Sequence, residues 1–191
     1  MGLRIIGGEL KGKKLYTVPG TLIRPTADRL RESIFNILSY MVKGAVVLDL
    51  FAGTGALGIE ALSRGAKSAV FIDNNKKALS VVEHNIQSCA VDSRSQIIRW
   101  NIVKNLNCIK SVDSKFNLVF MDPPYNKGLI EPSLINLYDS GSLGKDACII
   151  VEHTPFEPVP GDCKQFELAD QKKYGKTLIS FIKPKSTCIL K

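Results

Sequence analysis

Hydrophobic and polar positions switch between two periods along most of this chain. Val46-Val47-Leu48 is an unbroken apolar run, the pattern of a strand buried on both faces. It passes through Asp49 into a loop holding Gly53, Gly55 and Gly58, then into a segment with Leu57, Ala61 and Leu62 on one helical side. The rhythm recurs downstream. It predicts strands at 68–72, near 96–99, at 116–121 and at 147–151, with helices at about 76–89, 102–109 and 129–138. Strands and helices in alternation imply an α/β fold with a parallel sheet covered on both faces. The two ends differ. Residues 3–18 read as a short hairpin turning at Gly7-Gly8 and ended by Pro19 and Gly20. Thr26 is placed to cap a helix carrying Leu30, Ile34, Ile37, Leu38 and Met41 at helical spacing, with Gly44 closing it. Stretches 163–170 and 177–183 read as two strands joined by a polar connection containing Gly175, an antiparallel edge on the parallel sheet. The natural division is an N-terminal hairpin and helix, 1–43, before a body spanning 44–191.

Composition narrows the class. A chain of 191 residues suits one domain with at most a small appendage. No apolar run approaches the ~18 residues of a membrane span. The opening MGLRIIGGELKGKK lacks a signal peptide's long apolar segment, so a cytoplasmic location is expected. Cys89, Cys108, Cys148, Cys163 and Cys188 are scattered singly with no C-x-x-C pair, the usage of reduced thiols. With only His84 and His153 beside them, a metal site is not expected. The net charge is +8, and it sits on the ends. Residues 1–43 hold 8 Lys/Arg against 3 Asp/Glu, residues 161–191 hold 7 against 3, and residues 44–160 hold 11 against 12. Basic ends around a neutral body suit a polyanion such as nucleic acid, with solvated surface lysines as the competing explanation.

The glycine loop is the first candidate for chemistry. Gly53-Thr54-Gly55-Ala56-Leu57-Gly58 satisfies G-x-G-x-x-G after a strand and before a helix. Glycines let a ligand lie against the backbone and permit positive φ, and the helix that follows presents unpaired N–H groups. Gly58 is read instead as a packing glycine. Asp73, 20 residues beyond Gly53, is placed to hold a ribose hydroxyl pair. NAD and S-adenosylmethionine both carry such a ribose, so Asp73 does not choose between them. Asp49 favours the second: a carboxylate is awkward beside a pyrophosphate and suits the ammonium of a methionine moiety. Buried without a cation it would be costly.

The second candidate is Asp122-Pro123-Pro124-Tyr125, which follows the fourth strand at the carboxyl edge where sheet ligands sit. A lone D-P-P simply ends a strand. Behind a glycine loop, by this number of βα units, it resembles the [D/N/S]-P-P-[Y/F/W] motif of methyltransferases that act on planar exocyclic amines. Such an NH2 donates its lone pair into the ring and is a poor nucleophile. The Asp122 carboxylate and the Pro123 carbonyl can accept its two hydrogens and draw the lone pair toward a sulfonium methyl. The prolines stiffen the loop, and the Tyr125 ring offers a stacking surface of about 1–3 kcal/mol. The absence of a cysteine near this loop argues against the covalent route to carbon methylation of pyrimidines.

The segment D-L-F-A-G-T-G-A-L-G resembles motif I of S-adenosylmethionine-dependent methyltransferases, and D-P-P-Y resembles their [D/N/S]-P-P-[Y/F/W] motif. Residues 4–8 (RIIGG), 22–36 (LIRPTADRLRESIFN), A-L-G-I-E-A-L-S-R-G-A and the late K-Y-G-K-T-L-I-S-F together resemble the RsmD family over nearly the whole chain. That resemblance implies a Rossmann-like, class I methyltransferase fold with a mostly parallel seven-stranded sheet and an antiparallel C-terminal strand. It implies methyl transfer to N2 of one guanine in small-subunit (16S) ribosomal RNA, within a ribosomal subunit or an assembly intermediate, by a monomer without metal. It further implies a donor site from Asp49, Phe51, Gly53, Thr54, Gly55, Asp73, Asn74, Asn101 and Asp122, and RNA contacts from Arg4, Arg24, Thr26, Arg29 and Arg31 in a basic, RNA-facing extension. Asn101 also reads as a helix cap, and Arg29 and Arg31 as salt-bridge partners of Asp28 or Glu32. From the residues alone, adenine-N6 and glutamine-N5 methylation and an NAD-dependent oxidoreductase stay open, the last leaving D-P-P-Y without a task.

Overall fold

Five consecutive buried residues make β1 (Val46–Leu50) the centre of the sheet, because a strand covered on both faces has no polar side to show. The computed structural model describes residues 2–18, 26–159 and 165–185, with Thr26 and Ala27 described by backbone alone. β1 pairs in parallel with β2 (Ser68–Asp73) on one side and β4 (Phe116–Met121) on the other. β3 (Ser95–Arg99) extends the sheet beyond β2, and β5 (Leu143–His153) beyond β4, both in parallel. β7 (Thr177–Pro184) then lies antiparallel to β5, and β6 (Phe166–Tyr174) pairs antiparallel outside it. The order of the seven strands is β3-β2-β1-β4-β5-β7-β6. The chain steps outward from β1 to β3, crosses back to β4 and then steps outward the other way. That reversal leaves a crevice outside the carboxyl ends of β1 and β4.

Among the described residues, four α-helices cover the faces: α1 (Thr26–Ile37), α2 (Ala56–Ser63), α3 (Lys76–Ser88) and α4 (Ile130–Asp139). On one face Ile34 and Phe35 of α1, Ile59 and Leu62 of α2 and Val82 of α3 pack onto Phe71 and Phe120. On the other, Leu134 and Leu137 of α4 pack with Leu48, Leu50 and Phe116. Leu3, Ile5 and Leu15 enter the first of these layers, so the N-terminal segment shares the core of the body.

Four local readings change. The N-terminal hairpin is a looped segment closed by a single bridge between Arg4 and Lys14. α1 stops at Ile37: Leu38 and Val42 remain buried, but tight turns replace the last helical turn before Gly44 at φ 77°. The helix expected at 102–109 is only a 3-10 turn at Asn107–Ile109, because the Asn105 side-chain oxygen takes the Asn107 N–H that a continuous helix would use, and Asn136 Nδ2 takes the Ile102 and Val103 carbonyls. β5 begins at Leu143, four residues early, and reaches Phe116 across a register shift that the polar Gly144-Lys145-Asp146 conceals. Pro19, Gly20, Arg24, Cys163, Cys188, the start of the predicted strand at 163–164 and the capping side chain of Thr26 lie outside the described residues. Among those described, no helix is long and apolar enough to cross a membrane.

Candidate active site

Sheet register assembles the site. Leu50 of β1 stands opposite Met121 of β4, so the chain leaves the two strands side by side, through Phe51 on one and Asp122 on the other. Phe51 leaves at φ 58°, a left-handed turn unusual for a side-chain-bearing residue. Gly53 and Gly55 follow at φ 56° and 74°, and Gly55 opens α2. Gly58 has a different task. A Cβ there would stand 2.3 Å from the Phe71 ring and 3.1 Å from Asp49 Oδ2, so its place is a close packing of helix on sheet.

Asp49 is 2% exposed, and its Oδ2 accepts the Gly58 N–H at 2.9 Å. It has no ion-pair partner among the described residues. Burial pushes its carboxyl up to about 7, the Gly58 hydrogen bond opposes this, and nearby Asp73 adds to it. Asp73 ends β2 half-buried, accepting N–H bonds from Gly53 at 3.0 Å and Asn75 at 2.8 Å. Thr54 is tied through its carbonyl to buried Asn85 Nδ2 at 2.9 Å. Asn74 is exposed beside Asp73. Asn101 is exposed too, its side-chain oxygen taken by the Val103 and Lys104 N–H groups at 3.2 and 3.3 Å. The capping reading therefore describes Asn101 as found.

Asp122 keeps one face open to solvent, while Pro123 behind it is buried. Its carboxyl is raised well above the usual range, first by the surrounding protein that displaces water and then by the negative charges of Glu152 and Asp49. Solvent access tempers the size of this effect and leaves its direction. Tyr125, half-buried, donates its hydroxyl to a Glu152 carboxylate oxygen, and burial followed by that acceptor holds the phenol protonated. Asp122 thus senses both Glu152 and Asp49 across the crevice. No group of three or more ligating side chains set to hold a metal ion occurs among the described residues. The site is an open edge. A hollow of about 510 Å³ lies elsewhere, against Tyr138, Gly144 and Lys185, away from these carboxylates.

The expected RNA contacts divide. Arg29 is exposed and forms no ion pair among the described residues. Arg4 is partly exposed, 3.4 Å from Asp28. Arg31 follows the salt-bridge reading: only 5% exposed, it faces inward, donating to Arg4 O and to Asp28 Oδ1 at 3.1 Å. Its Nε lies 3.6 Å from Glu60. Burial pulls its guanidinium below the ordinary value, opposed by Glu60 and Asp28. Arg31 therefore presents no surface for RNA.

Two residues of consequence were not foreseen. Glu60, fully buried on α2, accepts the Ile6 and Gly7 N–H groups at 2.8 Å each and pairs with Arg64 at 2.7 Å, clasping the N-terminal segment to the body. Glu152 ends the apolar run of β5 beside Tyr125. Each had a signal: a lone carboxylate inside an apolar element, which a core does not accept without a partner.

With this geometry in hand, comparison with known proteins places the chain. The family described as Conserved hypothetical protein 95 matches residues 3–183. Ribosomal RNA small subunit methyltransferase D of Escherichia coli strain K12 is 34% identical over 174 residues, covering 91% of this chain and 86% of that protein. Its namesake from Haemophilus influenzae is 34% identical over 160 residues, covering 82% and 81%. The solved structure of yhhF from Escherichia coli superposes with a TM-score of 0.80 at 34% identity, over 97% of this chain and 99% of that one. A motif I loop, a D-P-P-Y edge and a match from residue 3 to 183 agree, and the chain belongs to this family, the RsmD family of methyltransferases.

Proposed function

We propose that the chain transfers the methyl group of S-adenosylmethionine to the exocyclic N2 of a guanine in small-subunit ribosomal RNA. The observation that carries this reading is the Leu50–Met121 register, which sets Asp122-Pro123-Pro124-Tyr125 beside the Asp49 end of the glycine loop at the reversal of strand order. The residues fit that donor: Asp49 is a buried carboxylate lacking a cation, which an ammonium group would supply. Gly53, Thr54 and Gly55 leave the backbone open to close approach, and Asp73 is placed for the ribose hydroxyls. When bound, the donor supplies an electrophilic sulfonium methyl. Asp122 and the Pro123 carbonyl accept the two amine hydrogens, and Tyr125 stacks on the base. Orientation supplies much of the remaining acceleration. The names carried by the Escherichia coli and Haemophilus influenzae relatives support small-subunit ribosomal RNA as the acceptor.

The same reading assigns residues 44–191 to donor binding and catalysis and residues 1–43 to RNA, through Arg4, Arg24 and Arg29. Its substrate is a small ribosomal subunit or an assembly intermediate, met in the cytoplasm by a monomer that needs no metal. The test is labelled methyl transfer to small subunits from cells lacking the enzyme, followed by mapping of the modified base. A single N2-methylguanine is expected; label on adenine, on protein or nowhere refutes the reading.

A further inference from the structure

Tyr125 is held from its far end as well as through its backbone. Met121 of β4 pairs with Val151 of β5, so Glu152 emerges level with Asp122 on the neighbouring strand. On its other side Glu152 is registered against Ile179 of β7. The chain turns back after Asp122 and brings the Tyr125 hydroxyl to the Glu152 carboxylate. The loop beyond is pinned as well. Asn126 sits at φ 55° and accepts from Thr154 Oγ1 at 2.8 Å, while Glu157 accepts the Lys127 and Leu129 N–H groups at 3.1 and 3.0 Å.

A phenylalanine would offer the same stacking face without this tether. The hydroxyl therefore adds orientation: anchoring it fixes χ1 and the axis of the ring, and because a phenolic O–H prefers to lie in the plane of its ring, a fixed acceptor direction also biases rotation about that axis. Stacking aligns the base with the ring, so the plane of the ring sets the plane of the amine and the line of methyl transfer. We propose that Glu152 is a positioning residue which, through the Tyr125 hydroxyl, fixes the plane of the ring against which the acceptor base stacks. The proposal rests on the amine-methyltransferase reading.

A double-mutant cycle separates this role from simple packing and from the charge that Glu152 exerts on Asp122. Tyr125→Phe and Glu152→Ala are each expected to lower kcat/KM for small-subunit RNA by roughly tenfold, mainly in kcat, with donor affinity unchanged. Tyr125→Phe also removes the hydroxyl's bond to Thr177, so the double variant should be no worse than Tyr125→Phe alone. Glu152→Gln, whose amide oxygen can still accept the hydroxyl, should recover most of the rate. A further tenfold loss from Glu152→Ala in the Tyr125→Phe background overturns the proposal, as does full activity of both single variants. NMR of the Tyr125 hydroxyl proton gives a readout independent of turnover: protected in the wild type and in Glu152→Gln, lost to exchange in Glu152→Ala. Protection that survives Glu152→Ala also overturns it. A wild type that shows the protected proton but methylates no RNA contradicts the functional reading and leaves the tether intact.

Discussion

The molecule contains two clusters of buried or crowded charge, and they are built on opposite terms. At the N-terminal junction, Glu60 is met by Arg64, Arg31 and two backbone N–H groups, and Asp28 closes the other side of Arg31. At the sheet edge, burial and the charges of Glu152 and Asp49 raise the Asp122 carboxyl, burial and Asp73 raise that of Asp49, and Asp49 has no ion-pair partner among the described residues. The first cluster carries its own cations and acts as a clasp. The second leaves buried Asp49 without a cation among the described residues, and a fold keeps such a group where a ligand completes it. Partnership, more than residue type, separates a structural carboxylate from a functional one.

The contrast can be broken from either side. Glu60→Ala strands the buried Arg31 guanidinium and frees two N–H groups, so unfolding free energy should fall by about 3–5 kcal/mol. Thermal denaturation reads this directly, and a variant of unchanged stability would show that the clasp holds nothing. Asp49→Asn should do the reverse: stability near neutral pH unchanged or raised, with affinity for S-adenosylmethionine reduced by at least ~30-fold, about 2 kcal/mol. Calorimetry on the same sample yields both numbers. Gly58→Ala forces a methyl against the Phe71 ring and should destabilise by about 1–3 kcal/mol, the one loss here that involves no charge.

Acidity gives a finer test. The folded Asp49 carboxyl, at about 7, lies above its ordinary 3.8, so the native chain holds an extra proton between those values. Its contribution to stability therefore falls as pH rises through that window and levels off above it. Binding of an ammonium-bearing ligand needs the ionised form, so affinity should climb by up to about tenfold per pH unit below 7 and flatten above. Asp49→Asn should erase that slope. The smallest effect belongs to Arg29→Ala: a few-fold weaker RNA binding, with the salt dependence reduced by about one phosphate contact.

Much of this was legible in the sequence because periodicity and chemistry agreed. Val46 to Leu50 is apolar except for Asp49, and that exception marks the site. D-P-P-Y stands at a strand end, where proline both stops the ladder and shapes the loop. What escaped was decided by distant partners. Nothing near Arg31 in sequence says that Glu60, on α2, will draw it inward; its helix spacing suits a surface arginine equally well. Glu152 looked like the end of a strand until the register set it beside Tyr125. The region after Asn101 has apolar residues at helical spacing, yet the side chains of Asn105 and of distant Asn136 take backbone groups that a helix would pair.

The most direct test of the account is single-turnover methyl transfer to small-subunit RNA by Asp122→Ala, with donor affinity measured on the same preparation. Removing the acceptor for the amine hydrogen should slow transfer by roughly 10²–10³-fold while the fold holds and donor affinity falls far less. Transfer at the wild-type rate would contradict the claim that this carboxylate activates the amine.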